Sequence, residues 1–329
     1  MINCVSNNTS IALYADDTKI WREIKCWNDH EILQNDIKSL FQWSTRNKMK
    51  FHPQKCKVLR VTRHRTSLDD PIYPFHTFFY MLGDTMLEYA DSEKDLGVVV
   101  TPTCSWDEQC QAILNISSSR LGMIKRVCNF SKNIKQKRAL YLAIVRSHFE
   151  HCSIIWRPTS DTTINKFESI QKRAVKWILN EQYHHYNDWE YTCRLRDLNI
   201  LPIRYYFIFN DLIIFHKIYN DSYCVKLPSY LRLCNSEDRS RLRSNINPPD
   251  YFNSPRSMLD LSTMRAISLD DKSLRCTITS TSVVFKNSFF FRSHMLWNYL
   301  PLNTRDEICP KKFRSQLLVH LWEEVMKPD

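Results

Sequence analysis

The sequence predicts an α+β chain, with short strands and one helix up to about residue 102 and a mainly α-helical remainder. Three observations lead there. Short β-branched or apolar runs set apart by Asp and Pro fill much of the first hundred residues, one amphipathic stretch interrupts them, and beyond Trp106 the apolar spacing becomes helical. A hydrophobic content of 43% over 329 residues is ample for two or three packed units.

Ile11 to Tyr14 and Thr18 to Trp21 flank Ala15-Asp16-Asp17, a pattern for a hairpin with carboxylates at its tip. From Asp29 to Asn47 the apolar Ile32, Leu33, Ile37, Leu40, Phe41 and Trp43 recur at helical spacing. Strands are expected at Val58 to Val61, Met86 to Tyr89 and Leu96 to Val100. Helical patterns then run over Asp107 to Val127, Lys135 to Ile155, Thr163 to Leu179 and Ile203 to Tyr219. Asn235 to Ser257, rich in Asn, Ser, Arg and Pro, has too little apolar content to fold alone and is expected to be a linker or loop. Thr277 to Phe285 has β character, and helices near Phe290 to Tyr299 and Lys311 to Met326 close the chain. The expected divisions are 1–102, 103–182 and 183–329, the last holding the polar linker near 235–257.

Composition narrows the function classes. Lysine plus arginine number 46 against 35 acids, a formal net charge of +11, so polyanions are the favoured partners. Gly83, Gly97 and Gly122 are the only glycines, which excludes the glycine-rich loops that let a backbone approach phosphates in Rossmann and P-loop enzymes. Twelve cysteines lack any C-x-x-C spacing, so neither a zinc ribbon nor a dense disulfide framework is written, and reduced thiols are expected. His148, His151 and Cys152 do not have the spacing of a helical metal site, and core packing is expected for them. No leader-like segment opens the chain, and its most apolar stretch, Tyr205 to Tyr219, is short and interrupted by Asn210, Asp211 and Lys217. An intracellular protein, in nucleus or cytoplasm, without membrane insertion is the expectation.

The motif that carries chemistry is Ile11-Ala-Leu-Tyr14-Ala-Asp16-Asp17-Thr-Lys-Ile20. Adjacent carboxylates on a hairpin can help hold two divalent cations, one activating an attacking hydroxyl and the other stabilising a leaving group. This decapeptide closely resembles the metal-binding hairpin of retroelement reverse transcriptases, and the segments after it resemble further elements of that family in the same order. Trp43 to Lys57, with Phe51-His52-Pro53-Gln54-Lys55, resembles the next palm motif, His52 standing where the family has Asn. Tyr89 to Val100, with Leu96-Gly97, is similar to the primer-grip hairpin. Trp106 to Val127 resembles the thumb. His148 to Pro158, Phe167 to Arg173 and Phe291 to Pro301 look like the helical region beyond it in jockey-like non-LTR retrotransposons. Together these matches cover about Ile11 to Leu321.

The resemblance implies a partial polymerase palm (hairpin, helix and short antiparallel strands) followed by a mainly α-helical thumb and C-terminal region. It implies RNA-directed DNA polymerase chemistry with two Mg²⁺ ions at Asp16 and Asp17, and Lys55 acting on the departing pyrophosphate, where a cation stabilises developing charge. An RNA template and a DNA primer would be the partners, contacted by Tyr14, Leu96 and Gly97. On the segment Thr163 to Leu179, Ile164, Phe167, Ile170, Ala174, Trp177 and Ile178 share one arc, and Lys166, Lys172, Arg173 and Lys176 the opposite one. That cationic arc is either a solvated surface or a phosphate contact. The family's third carboxylate, its fingers and its endonuclease would precede Met1, so the chain is expected to be a fragment with negligible polymerase activity alone. The alternative is a non-catalytic basic nucleic-acid-binding protein derived from such an element.

Overall fold

The computed structural model describes residues 4–62, 78–181, 184–234, 273–277 and 283–327. The expected polar linker near 235–257 lies outside the described residues. Strands and helices are both present, and the chain divides into two compact units, Met1–Ser105 and Trp106–Asp329.

The first unit opens with the strands β1 (Thr9–Tyr14) and β2 (Asp17–Arg22), antiparallel with Tyr14 opposite Asp17 and Thr9 opposite Arg22. Helix α1 (Trp27–Arg46) follows. Short strands come next: β3 (Lys57–Val58), β4 (Met81–Leu82), β5 (Thr85–Met86), β6 (Glu88–Tyr89), β7 (Glu93–Asp95) and β8 (Val98–Val100). They pair as β4 with β5 and β7 with β8, both antiparallel, and β3 with β6, which is parallel where only antiparallel strands were expected. The runs expected at Val58 to Val61 and Met86 to Tyr89 thus shrink to two-residue pairs.

The core beneath these strands is formed by α1. Ile37 and the partly buried Leu33 and Phe41 pack with Ile20 of β2, Val58 of β3, Leu82 of β4, Leu87 and Tyr89. Polar groups fix the arrangement. The Gln34 amide accepts from Met81 N (2.7 Å) and donates to Met81 O (2.9 Å), so one side chain satisfies both backbone groups that an adjacent strand would take. His30 shares a 2.7 Å hydrogen bond with the Tyr80 hydroxyl and stacks on Phe78 at 4.9 Å.

Among the described residues the second unit is helical apart from one strand pair. Its elements begin with α2 (Asp107–Val127) and α3 (Ile134–Leu140), which continues into a π-helical stretch, Tyr141–Arg146, and α4 (Ser147–Glu150). Then come α5 (Ser153–Trp156), α6 (Asp161–Ile178), α7 (Asp188–Asp197) and α8 (Ile203–Tyr219). The strands β9 (Leu231–Leu233) and β10 (Leu274–Cys276) pair antiparallel, and α9 (Val283–Lys286), α10 (Phe289–Tyr299), α11 (Leu302–Arg305) and α12 (Pro310–Val325) complete it. Of the segment 277–285, where β character was expected, residues 278–282 lie outside the described residues and 283–285 belong to α9.

The helix expected to run unbroken to Ile155 is interrupted at His151–Cys152, where Cys152 adopts a left-handed backbone (φ 52°). The break lets α5 turn inward, and the Trp156 indole N–H donates to His151 O at 2.8 Å. His151 is exposed and His148 half-buried, not the core pair expected. Phe149, Trp156, Phe167 and Phe207, each essentially inaccessible, interlock mostly edge to face with centroids 5.1–6.0 Å apart. Each buried ring contributes about 2–3 kcal/mol, and together they clamp α4, α5, α6 and α8. Apolar on nearly every side, α8 is the central helix, with Leu212 and Phe215 packed among residues of α10 and α12. Of the polar residues that break its apolar run, Asp211 has a structural role, buried between Arg157 and Arg292. Among the described residues, no helix is long and apolar enough to cross a membrane.

Candidate functional site

The carboxylate hairpin is anchored at its base and open at its tip. At the base, Arg22 donates to Asp29 Oδ1 through Nε (3.0 Å) and Nη2 (2.9 Å), and to Asn7 O and Thr9 Oγ1 through Nη1. Asp29 also accepts from the backbone N–H groups of Lys25 and Cys26 at the start of α1, and these bonds with Arg22 hold its carboxyl well below the usual range. Asp36 accepts from both the N–H and the hydroxyl of Ser6. The hairpin is therefore tied to α1 at both strand ends.

At the tip, Ala15 and Asp16 form a two-residue turn between Tyr14 and Asp17. Ala15 holds φ at 52°, a left-handed conformation that costs an L-residue about 1–2 kcal/mol. Asp16 and Asp17 are both exposed, and neither side chain hydrogen-bonds or ion-pairs with a described residue. Tyr14, 67% exposed, lies opposite Asp17 and so shares its face of the hairpin. The two carboxylates thus keep all their oxygen lone pairs for solvent or a hard cation, and the donor set fits Mg²⁺. Among the described residues, no group of three or more His, Cys, Asp or Glu side chains is placed to hold a metal ion.

The Leu96-Gly97 turn is brought to the same hairpin. Asp95 opposes Val98, so Leu96 and Gly97 are the two central residues, with φ of 46° and 89°. Positive φ at both positions is the geometry that matches strand twist in a two-residue hairpin turn, and glycine is suited to it where leucine is not. Lys19, two residues beyond Asp17 on the same face of β2, ion-pairs with Asp95 on β7. This contact joins the two turns and was not foreseen; the sequence signal was a lysine at the alternating spacing that shares a face with Asp17. Lys55 ends a single 3₁₀ turn, Pro53–Lys55, with its side chain exposed, and no hydrogen bond or ion pair links it to Asp16 or Asp17.

The cationic arc belongs to the second unit. On α6 the apolar arc is fully buried, as expected: Ile164, Phe167, Ile170, Ala174, Trp177 and Ile178. The cations opposite divide into two groups. Lys172 sits over the Tyr191 ring (5.0 Å) and pairs with Asp188, and Lys176 lies 5.7 Å over the Tyr186 ring. Arg173 leans the other way, toward α2, and donates to Ser118 Oγ at 3.1 Å. Lys166 is exposed and has no partner among the described residues. Two of the four are thus committed to α7 and its approach, and Lys166 and Arg173 remain open to an external anion.

Comparison with protein-family models, with curated proteins and with solved structures finds no significant match for the chain.

Proposed function

We propose that the chain is part of an RNA-directed DNA polymerase of the jockey-like non-LTR retrotransposon kind, carrying the catalytic hairpin of the palm, its primer-side turn and a helical thumb. The observation that supports this most is the Tyr14-Ala15-Asp16-Asp17 tip, with two adjacent carboxylates free of internal partners and a second tight turn linked to it through Lys19 and Asp95. In this reading Asp16 and Asp17 are the protein ligands to Mg²⁺. Bound there, the metal supplies Lewis-acid stabilisation of the attacking and leaving oxygens of nucleotidyl transfer. Tyr14 and the Leu96-Gly97 turn would position the primer end, and Lys55 would act on the departing pyrophosphate.

Two carboxylates make a weak cage, and positioning supplies much of the rate in phosphoryl transfer. The chain alone is therefore expected to bind metal loosely and to extend a primer negligibly. Titration with Mn²⁺ followed by electron paramagnetic resonance tests the site. Binding of ~0.1–1 mM is expected, in the range of sites with few charged ligands. It should be lost in Asp16→Asn/Asp17→Asn, and Mn²⁺ uptake indifferent to that change would refute the assignment.

The second reading is a basic nucleic-acid-binding protein without catalysis, favoured by Lys166 and Arg173 on α6, neither of which has an acid for a partner among the described residues. Metal-dependent primer extension abolished by Asp16→Ala would reject it. Salt-sensitive hybrid binding with no such extension, and none restored by any added palm segment, would favour it.

A further inference from the structure

Two residues of β2 that share a face carry opposite charges. Alternation along the strand places Asp17, Lys19 and Trp21 on one side, and their partners across the hairpin are Tyr14, Ala12 and Ser10. Asp17 and Lys19 are therefore the only charged side chains on that face of the two strands. Two residues along a strand span ~6.7 Å, a distance that a lysine stem covers with ease. From the hairpin alone, the expected arrangement is an ion pair between Lys19 and Asp17.

The structure holds a different one. The Lys19 ammonium donates to Asp95 Oδ2, 76 residues away on β7, and Asp17 keeps no hydrogen bond or ion pair to a described residue. Asp95 is the last residue of β7 before the Leu96-Gly97 turn, and Lys19 is its one cation among the described residues. Stability does not account for the contact. The two side chains are 57% and 39% exposed, and an ion pair in that setting adds little. What the contact does is keep charges apart. An ammonium on Asp17 would cancel one of the two negative charges that attract a divalent cation, and would repel that cation as well.

We propose that Asp95 is a positioning residue for the metal site: it draws the Lys19 ammonium off Asp17, so that Asp16 and Asp17 meet a divalent cation with both charges free. The same contact links the two turns. Displacing the Leu96-Gly97 turn returns Lys19 to Asp17 and lowers the affinity for metal, and by reciprocity bound metal favours the turn in its present place. The proposal rests on the reading of Asp16 and Asp17 as metal ligands, and adds to it a control outside the ligand set.

The test is a double-mutant cycle read by Mn²⁺ titration of the full chain with electron paramagnetic resonance at low salt, with circular dichroism as the check of folding. Asp95→Asn frees Lys19 and should weaken Mn²⁺ binding about 5-fold, the scale of one exposed ion pair. Lys19→Met/Asp95→Asn should bind as Lys19→Met does, because Asp95 then has nothing to restrain. A purely structural role for Asp95, or a direct pull of its charge on the metal, would instead leave the loss in place when Lys19 is absent. That persistence, or an Asp95→Asn affinity equal to the parent's, overturns the proposal, and Mn²⁺ binding lost in Asp16→Asn/Asp17→Asn then still supports the metal site. A parent whose Mn²⁺ uptake is indifferent to Asp16→Asn/Asp17→Asn overturns both. If Asp95→Asn fails to fold, Asp95→Ser takes its place in the cycle.

Discussion

Replacing Asp211 by leucine removes the single acid from a buried cluster that holds three helices together. Its carboxylate, 1% exposed, accepts from Arg157 Nη1 (2.6 Å) on Oδ2, and from Arg292 Nε (2.8 Å, Oδ2) and Nη2 (3.0 Å, Oδ1). The guanidinium groups come from the end of α5 and from α10, so the contact fastens both to α8. The two arginines lose unequally. Arg292 would retain the carbonyls of Asn287 and Ile154, whereas Arg157 has no other side-chain partner among the described residues. Burial already depresses the Arg157 pKa with Asp211 opposing that shift, so without the acid an uncompensated ion remains. Breaking one partner of such a cluster costs about 3–5 kcal/mol, a large part of the ~5–15 kcal/mol that stabilises a domain. In urea, with a slope of ~2–3 kcal/mol per molar, the midpoint followed by tryptophan fluorescence and circular dichroism should fall by about 1–2 M. Adding Arg157→Met to Asp211→Leu should recover about half of the loss, because the worse-placed cation is then gone. A loss under ~1 kcal/mol for Asp211→Leu, or a double variant no more stable than the single one, would refute this reasoning.

Two further outcomes follow from local geometry. Gly83 has φ of 64° and a Cβ there would sit 2.7 Å from Phe41 Cζ, so Gly83→Ala should destabilise the first unit by about 2 kcal/mol or more, and a chevron or urea midpoint unchanged from the parent would contradict it. His294 is buried, and that burial brings its pKa down to about 4 from 6.5. Its folded-state pKa lies below the unfolded one, so the unfolded chain binds the extra proton between those values and stability falls as pH drops from about 6.5 to about 4, by an amount of order 3 kcal/mol. Urea midpoints at pH 7 and pH 5 should differ in the parent and differ less in His294→Gln.

Elements whose cause is local were legible in the sequence. The helices over Asp107–Val127 and Ile203–Tyr219 have the expected bounds, the first because apolar residues recur at helical spacing and the second because a near-continuous apolar run is long enough for a buried helix. The hairpin was readable because alternation on both sides of Ala15-Asp16 leaves only a tight turn between them. Helix α7 was missed although Asn187 and Glu190 form a reciprocal capping box, a signal that was present and not used. The break at Cys152 had no such signal, since its left-handed backbone is enforced by Trp156 and Phe149 packing inward and not by a glycine. Within the candidate site, the acids were evident from the motif, but the Lys19–Asp95 link spans 76 residues and the division of the α6 cations depends on Tyr186, Tyr191 and Ser118. No window of sequence contains those partners together.

The net charge of +11 overstates the number of cations available for direct contact with a partner, because many of them serve the fold. Lys137 is buried at the end of α6, donating to Trp177 O (3.1 Å) and Asn180 Oδ1 (2.6 Å), and its neighbour Arg138 donates to Leu198 O and Asn199 O at the end of α7. Both are cations placed at the negative ends of helices, where orphan carbonyls need donors. Arg146 holds Gln171 Oε1 and Leu201 O in the interior, and Arg305 holds Leu300 O and Ser273 Oγ. Such groups are not available for direct hydrogen bonds to a polyanion at the surface, since oxygens of the fold already take their N–H donors. An argument for nucleic acid from composition therefore reduces to the cations left without an internal partner. Lys125, Arg126 and Lys166 satisfy that criterion, while Arg173 donates to the Ser118 hydroxyl and has no acid for a partner among the described residues.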